Sequence, residues 1–167
     1  IFTNLTRDHL DFHKTFENYY EAKFKLFERS RIKLVNIDDN YGMKVVEDCM
    51  KLNLNDVYTF SVKKDSDFKA YDEKMGSREI EFKVNLEKPE DFVLNIPGEY
   101  NIYNALGAIG VCFKLGISEK AIKEGIERVV VPGRCERVAR EYNLPYEIII
   151  DYAHTPDGLE NILNTAR

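Results

Sequence analysis

The fold class is decided by residues 32–62, which read IKLVNIDDNYGMKVVEDCMKLNLNDVYTFSV. This stretch opens with an apolar run at 32–37 and closes with a second at 57–62, and residues 41–52 between them carry apolar side chains at helical spacing. A strand, a helix and a second strand joined by short connections are typical of a parallel sheet layer. We therefore predict an α/β fold with a mostly parallel sheet covered by helices.

The pattern changes downstream, where residues 68–96 alternate between apolar and polar side chains. The alternation is clearest at 80–86 and 92–96, and it predicts a small antiparallel meander. Pro97 and Gly98 end the meander, and helices are predicted at 100–115 and after Ser118, whose hydroxyl suits a helix cap.

A break at Val131-Pro132-Gly133 predicts a domain boundary, with residues 1–132 in one domain and 133–167 starting another. In the second part, a predicted apolar strand at 146–150 leads into a helix that begins at Thr155 and Pro156.

The composition indicates a soluble globular protein, because 44% of residues are hydrophobic and 32% are charged. A net charge of -5 without a basic block argues against nucleic acid or an anionic membrane as partner, and favours a small molecule. The sequence has no signal peptide and no apolar stretch long enough to span a bilayer. Its three cysteines are widely spaced, which is typical of free thiols, so we expect a cytoplasmic location.

The two ends of the chain suggest a piece of a longer protein. The sequence begins at Ile1 without methionine, and it stops at Arg167 inside a predicted helix. We expect the strand edge at Ile1 to be open to pairing with another copy, which would give a homo-oligomer.

Lys23 lies where a lysine is not expected. The apolar side chains around it recur at the spacing of one helix face: Phe16, Tyr19, Tyr20, Phe24 and Phe27. Because desolvation disfavours the charged form of a lysine, burial in this stripe would leave a neutral, nucleophilic amine. The alternative is that the methylenes lie along the stripe while the ammonium reaches water.

Residues 4–13, NLTRDHLDFH, contain two of the three histidines, His9 and His13, together with Asp8 and Asp11. Such a polar segment after an apolar start is typical of a loop that leaves the carboxyl end of a strand, where α/β sheets bind ligands. It indicates a metal or phosphate site. An ordinary loop with solvated histidines is the alternative.

Two further clusters have binding chemistry. Asn101 and Asn104 share a face of a predicted helix, and a carboxamide suits the edge of an adenine; the alternative is that Asn101 caps the helix and nearby small residues allow close packing. Asp151 ends the second predicted strand, where its carboxylate suits a ribose, and His154 lies beside the start of the next helix. A structural role for Asp151 in tying down the loop is the alternative.

Five stretches, in this order, closely resemble the Mur ligases of peptidoglycan synthesis: TNLTRDHLDFH, YYEAKFKLF, GEYNIYNALGA, VPGRCER and DYAHTPDGLE. DYAHTPD is most similar to the branch that adds the third amino acid to UDP-N-acetylmuramoyl-L-alanyl-D-glutamate. The resemblance covers essentially the whole chain. It implies that residues 1–132 are the C-terminal portion of the central ATP-binding domain, and that residues 133–167 begin the Rossmann-like C-terminal domain.

The resemblance implies that Lys23 is carbamylated by carbon dioxide and that the new carboxylate helps to hold Mg²⁺ near the γ-phosphate of ATP. It also implies that His9 is a ligand of a second metal ion, an unusual choice for Mg²⁺ that leaves Mn²⁺ as a substitute.

The resemblance further implies a set of nucleotide contacts. Asn101 and Asn104 correspond to asparagines on the adenine side, while Arg134 and Asp151 correspond to residues that approach the nucleotide from the C-terminal domain. His154 lies where the family closes on the phosphates.

The implied reaction is ATP-dependent amide formation through an acyl phosphate, with UDP-N-acetylmuramoyl-dipeptide and an amino acid as partners. The sequence contains no phosphate-binding G-x-x-x-x-G-K-[ST] loop, which the family carries upstream of the segment matching Ile1. We therefore expect this chain alone neither to hydrolyse ATP nor to ligate.

Three alternatives stay open. Folylpolyglutamate and cyanophycin synthetases have the same chemistry, but they lack the arrangement from DHLDFH to Lys23 as written here. A metal-dependent hydrolase would use His9, Asp11, His13 and a carbamylated Lys23. A non-catalytic interaction module would agree with the missing phosphate loop.

Overall fold

The computed structural model describes residues 1–7 and 10–166. Its helices are α1 (Leu10–His13), α2 (Phe16–Arg29), α3 (Asn40–Lys51), α4 (Glu99–Lys114), α5 (Glu119–Arg128) and α6 (Pro156–Thr165). Its strands are β1 (Lys33–Asn36), β2 (Val57–Ser61), β3 (Phe68–Met75), β4 (Ile80–Asn85), β5 (Pro89–Leu94), β6 (Glu136–Val138) and β7 (Ile148–Ile150). A 3₁₀ turn, Arg140–Tyr142, lies between the last two strands.

The first five strands form one mixed sheet in the order β1-β2-β3-β4-β5. β1 pairs in parallel with β2, and β2 pairs in parallel with β3. β3, β4 and β5 are antiparallel neighbours, so the predicted meander is confirmed and is continuous with the parallel layer. The α/β prediction is therefore confirmed.

Helices cover both faces of β1, and all four of its residues are buried. Successive strand side chains point to opposite faces. Accordingly, Leu34 packs in the cluster that includes Ile102, Leu106 and Ile109 of α4. Its neighbour Val35 packs with side chains of α2 and α3. This two-sided burial explains the continuous apolar run in the sequence.

Two glycines let helices approach the sheet closely. A Cβ on Gly42, in the first turn of α3, would overlap the carbonyl oxygen of Asn36. A Cβ on Gly110 of α4 would lie 2.8 Å from Cδ2 of Leu34. Both helices are therefore set against β1 at distances that larger residues would not allow.

The C-terminal part forms a second, two-stranded antiparallel sheet from β6 and β7. The predicted strand at 146–150 is confirmed for residues 148–150, but Ile148 and Ile150 are 39% and 49% exposed. Ile149 and Ile162 pack against the core of the first part. The boundary at residue 132 stays a prediction.

No helix within residues 1–7 and 10–166 has the length and apolar content that a membrane span needs.

Candidate functional site

A cleft of about 1060 Å³ opens between the strand ends, α4 and the C-terminal part. This volume lies slightly above the range of roughly 300–1,000 Å³ that is usual for ligand sites. The structure brings all five predicted nucleotide-binding residues to its lining: Asn101, Asn104, Arg134, Asp151 and His154. Asn101 and His154, the first and last of them, are 53 residues apart along the chain.

One wall of the cleft is the carboxyl edge of the sheet. Phe2 forms a parallel bridge with Val35, so the polar segment that starts at Thr3 leaves the carboxyl end of a strand, as predicted. The Asn36 side-chain amide donates a hydrogen bond to the Thr3 carbonyl at 2.8 Å. An Asp39 carboxylate oxygen accepts one from the Leu5 amide at 3.4 Å. The segment is thereby fixed against the end of β1.

Asp38 also lines this wall, and it is not among the site residues that the sequence predicts. Its Oδ1 accepts a hydrogen bond from the Ser61 hydroxyl at 2.8 Å. Its Oδ2 accepts from the amides of Val62 and Lys63 at 2.9 and 3.0 Å. A fourth hydrogen bond comes from the Tyr103 hydroxyl at 3.2 Å. The carboxylate therefore joins β1, the end of β2 and α4.

Electrostatics keep both members of the Asp38–Tyr103 pair in fixed protonation states. Burial alone would raise the pKa of Asp38, but its hydrogen bonds outweigh burial, so this pKa lies below its ordinary value. Burial, and then the Asp38 charge, raise the pKa of the Tyr103 hydroxyl far above its ordinary value. Near neutral pH, Asp38 is thus an acceptor and Tyr103 a donor.

The two predicted asparagines on the α4 wall differ in burial and in their hydrogen bonds. Asn101 is 9% exposed, and its amide group donates a hydrogen bond to the Pro97 carbonyl at 2.8 Å. The Asn104 amide donates to Asn101 Oδ1 at 3.1 Å, while Asn104 itself is exposed. Gly98, not Asn101, is the cap residue of α4, so the capping alternative is wrong. Asn101 orients Asn104, which faces the cleft.

The small residues of α4 divide between two tasks. Ala105 and Ala108 line the cleft and keep this part of its wall low. Gly107 and Gly110 face the protein interior, against Ile1 and Leu34 respectively. On the cleft side of α4, the small residues leave room for a ligand. On the interior side, they allow close packing, which was the alternative interpretation.

The third wall comes from the C-terminal part. Asp151 Oδ2 accepts a hydrogen bond from the Cys135 amide at 2.7 Å, and Oδ1 accepts one from the Ala153 amide at 2.8 Å. The loop-fixing role of Asp151 is therefore observed. Thr155 caps α6 as predicted, with its Oγ1 accepting from the Gly158 amide at 3.2 Å. A carboxylate has about four lone-pair sites, so Asp151 retains acceptor capacity toward the cleft.

Arg134 and His154 both contact the exposed ring of Tyr152. The Arg134 guanidinium lies 4.9 Å from the ring centroid, as in a cation–π contact. The His154 ring meets it edge-on, with centroids 4.9 Å apart, and its Nδ1 is 2.9 Å from the Tyr152 carbonyl oxygen. Tyr152 thus holds two side chains with cationic or donor character at the mouth of the cleft.

Of the two interpretations of Lys23, the structure favours the one in which the stem lies along the aromatic stripe and the ammonium is not in the core. Lys23 is half-buried, and its ammonium lies 4.9 Å from the centroid of the Tyr19 ring. The fully buried positions on this face of α2 are Tyr20 and Phe27, and Lys23 lies beside them. Aromatic contact lets a lysine bury its stem while its charge keeps a favourable partner.

Lys23 lines a second cavity of about 270 Å³, separate from the cleft. Thr3 lines both cavities, so the start of the polar segment lies beside each of them. His9, the other predicted metal ligand, lies outside the described residues. His13 stacks on the same Tyr19 ring as Lys23, with centroids 4.6 Å apart.

Within the described part of the chain, no group of three or more histidine, cysteine, aspartate or glutamate residues is placed to hold a metal ion. Lys23 would add a carboxylate only once it is carbamylated, so Lys23 and His9 stay predicted ligands.

The sequence model of the Mur ligase middle domain matches residues 1–112. The chain belongs to the Mur ligase family. The UDP-N-acetylmuramoyl-L-alanyl-D-glutamate--2,6-diaminopimelate ligase of Clostridium perfringens is 64% identical over the whole chain, which spans 35% of that relative. The chain thus covers about a third of the length of the curated relatives it matches.

Solved Mur ligase structures share the fold. MurF from Acinetobacter baumannii matches 98% of this chain and 36% of its own, with a TM-score of 0.84 at 19% identity. A UDP-N-acetylmuramoyl-L-alanyl-D-glutamate--2,6-diaminopimelate ligase structure matches 98% of this chain and 34% of its own, with a TM-score of 0.77 at 26% identity. Both matches extend past residue 112, so the C-terminal part also follows the Mur ligase architecture.

Proposed function

We propose that these residues are part of an ATP-dependent amide-bond ligase of peptidoglycan precursor synthesis. The observation that carries the proposal is the cleft in which Asn104, Arg134, Asp151 and His154 meet, in a chain that belongs to the Mur ligase family. Its walls come from the sheet, α4 and the C-terminal part, which is a suitable arrangement for enclosing a nucleotide between two domains.

The proposed acceptor is UDP-N-acetylmuramoyl-L-alanyl-D-glutamate, and the proposed incoming amino acid is 2,6-diaminopimelate. Both are named for the relative from Clostridium perfringens that is 64% identical over this chain. The solved ligase that is 26% identical carries the same two names. An assay with each amino acid in turn distinguishes 2,6-diaminopimelate from lysine.

The proposed reaction has two steps. A carboxylate oxygen of the D-glutamate attacks the γ-phosphorus of ATP, the bond from that phosphorus to the β-bridging oxygen breaks, and ADP leaves. The amine nitrogen of the amino acid then attacks the acyl carbon, the carbon–oxygen bond to the phosphate breaks, and the nitrogen loses a proton. The products are an amide, ADP and phosphate.

The residues of the cleft have distinct proposed roles. Asn104 hydrogen-bonds to the edge of the base, because only one of its hydrogen-bonding positions is used within the described structure. Asp151 accepts from the ribose with its remaining lone pairs. Arg134 and His154, arranged around Tyr152, lie beside the phosphates and stabilise negative charge.

Lys23 is proposed to be carbamylated: its neutral amine attacks carbon dioxide, a nitrogen–carbon bond forms, and the nitrogen loses a proton. The resulting carboxylate and His9 are the proposed ligands of Mg²⁺, with Mn²⁺ as a substitute. When bound, the metal neutralises charge on the phosphates. The cavity lined by Lys23 shares Thr3 with the cleft and does not include Asn104, which supports a position nearer the phosphates than the base.

We propose that residues 1–132 belong to the central domain and residues 133–167 to the C-terminal domain of the complete ligase, and that the ligase is cytoplasmic. The free thiols of Cys49, Cys112 and Cys135 agree with a reducing compartment. Neither nucleic acid nor a membrane is a proposed partner, and pairing with a second copy stays a prediction.

The proposal is tested by ADP release from the complete ligase that contains these residues. We expect ADP release to require both the UDP-dipeptide and 2,6-diaminopimelate, and mass spectrometry to detect the UDP-tripeptide. Product formed only with lysine would replace the amino acid and keep the ligase. ADP release that needs no UDP-dipeptide would refute the proposal. The 167-residue chain alone, which lacks a phosphate loop, should release no ADP.

A further inference from the structure

The Asp38 carboxylate lines the cleft, and most of its hydrogen-bonding capacity is used within the protein. A carboxylate has about four lone-pair sites. Asp38 accepts four hydrogen bonds, three from Ser61, Val62 and Lys63 at the end of β2 and one from the Tyr103 hydroxyl. Its side chain therefore positions other groups. Two of the other donors are backbone amides and the third is the buried Ser61 hydroxyl, so the ring that Asp38 positions is that of Tyr103.

Tyr103 of α4 lies where its side chain can contact a ligand bound in the cleft. It lies one residue before Asn104, is half-buried, and lines the cleft. Ala105 and Ala108 follow on the same cleft-facing side and leave a low floor. A planar ligand could lie against Ala105 and Ala108 with its edge toward Asn104. The Tyr103 side chain would then lie beside that ligand.

The two neighbouring side chains are each fixed from behind. Asn101 accepts the hydrogen bond of Asn104 at 3.1 Å, and Asp38 accepts that of Tyr103 at 3.2 Å. A side chain held in one rotamer by such support loses little conformational entropy when a ligand binds. Two adjacent positions with this support are an arrangement for recognising a ligand of fixed shape.

We propose that Tyr103, positioned by Asp38, is a specificity-determining residue of the nucleotide site and forms the wall against which the purine base lies. The inference rests on the proposed function and deepens it by adding Tyr103 and Asp38 to the residues that select the base. Asp38 acts through Tyr103 and does not touch the nucleotide.

The test uses the complete ligase and measures ADP release against ATP concentration. Tyr103→Phe keeps the ring and its packing but removes the hydroxyl. We expect the KM for ATP to rise roughly three- to tenfold, as for the loss of one hydrogen bond, with kcat within about twofold. The KM values for the UDP-dipeptide and the amino acid should not change. The preference for ATP over CTP, measured as a ratio of kcat/KM, should fall.

Tyr71→Phe is the matched control, because it removes a hydroxyl from β3, whose residues do not line the cleft. Asp38→Asn should raise the KM for ATP in the same way. If Asp38→Asn does not fold, Tyr103→Phe alone decides the test. Equal KM values for ATP in Tyr103→Phe and Tyr71→Phe would overturn the inference, as would an equal loss for all substrates. A parent enzyme without dipeptide-dependent ADP release would refute the proposed function, and this inference with it.

Discussion

A single half-buried amine, that of Lys23, has to become a carboxylate for the proposed chemistry. Its ammonium lies over Tyr19 rather than in the core, so carbamylation has to occur at a site that retains contact with solvent. Such a site can be reached by carbon dioxide from solvent.

We expect Lys23→Ala to lower the kcat of the complete ligase at least about 100-fold, because a charge-stabilising group is lost at phosphoryl transfer. Lys25→Ala is the control, since this lysine is exposed on the same helix. Intact-protein mass spectrometry should detect the carbamate on the parent and lose it in Lys23→Ala. Full activity of Lys23→Ala would remove this residue from the mechanism.

Asp38 should stabilise the fold in a pH-dependent way. Its folded pKa lies below the ordinary 3.8, so its contribution is present above pH 3.8 and is lost as the pH falls through the lower folded value. Asp38→Asn should lower the free energy of unfolding by roughly 1–2 kcal/mol near neutral pH, because amide protons then face backbone donors. Urea titrations should show this deficit unchanged from about pH 5 to 7 and shrinking below pH 3.8. A deficit independent of pH would contradict the assignment.

The residue scale also marks where sequence reasoning reached its limit. Asn104, Arg134 and His154 were found because they stand in recognisable motifs, and the structure brings them to one cleft. Asp38 was missed because its role depends on a tyrosine 65 residues away, and no local pattern reports that contact. The depth of Lys23 was left open between two alternatives, because helical spacing gives the direction of a side chain but not how far its end reaches.

At the scale of elements, the contact of α4 with β1 depends on glycine at one position. Gly110→Ala would bring a Cβ to 2.8 Å from Leu34 Cδ2 and 3.1 Å from Phe68 Cδ2, and both neighbours are buried. Overpacking costs about 1–3 kcal/mol, more than the roughly 1 kcal/mol gained in helix propensity. We expect a net loss in the free energy of unfolding, measured by chemical denaturation.

Gly125→Ala in α5 is the control substitution, and we expect it to change stability in the opposite direction. No atom lies within 4 Å of a Cβ built there, and the residue is exposed in a helix interior. The propensity gain should therefore raise the free energy of unfolding by about 0.5–1 kcal/mol. If both variants change stability in the same direction, close packing at Gly110 does not control this interface.

Helices and strands were the best predicted features, because their signals are local. Caps at Ser118 and Thr155 and the two-sided burial of β1 are all written in short stretches. The parallel pairing of β3 with β2 was not predicted, since alternation specifies which face a strand buries but not which strand it joins. Pairing of β7 with β6 was missed for the same reason.

At the scale of the whole molecule, the cleft exists only because the C-terminal part packs on the first part. Ile149 and Ile162 reach the core that contains α4 and α5. Tyr100 of α4 and Asp151 of the C-terminal loop line the same cleft. These contacts span the domain boundary that the sequence predicts at residue 132. If the two parts were joined by a flexible hinge, the C-terminal part could unfold, and the cleft be lost, while the core of the first part stayed folded.

The packing instead predicts that all of the 167-residue chain unfolds in one transition. Ile162→Ala should lower the free energy of unfolding by roughly 1–2 kcal/mol, because a half-buried side chain leaves the shared core. Leu163→Ala, on the neighbouring position that is 61% exposed, should change it by less than about 0.5 kcal/mol. Far-ultraviolet circular dichroism and tyrosine fluorescence should give the same midpoint for each variant. Two separate transitions, with Ile162→Ala moving only one of them, would mean that the cleft is a contact between independent units.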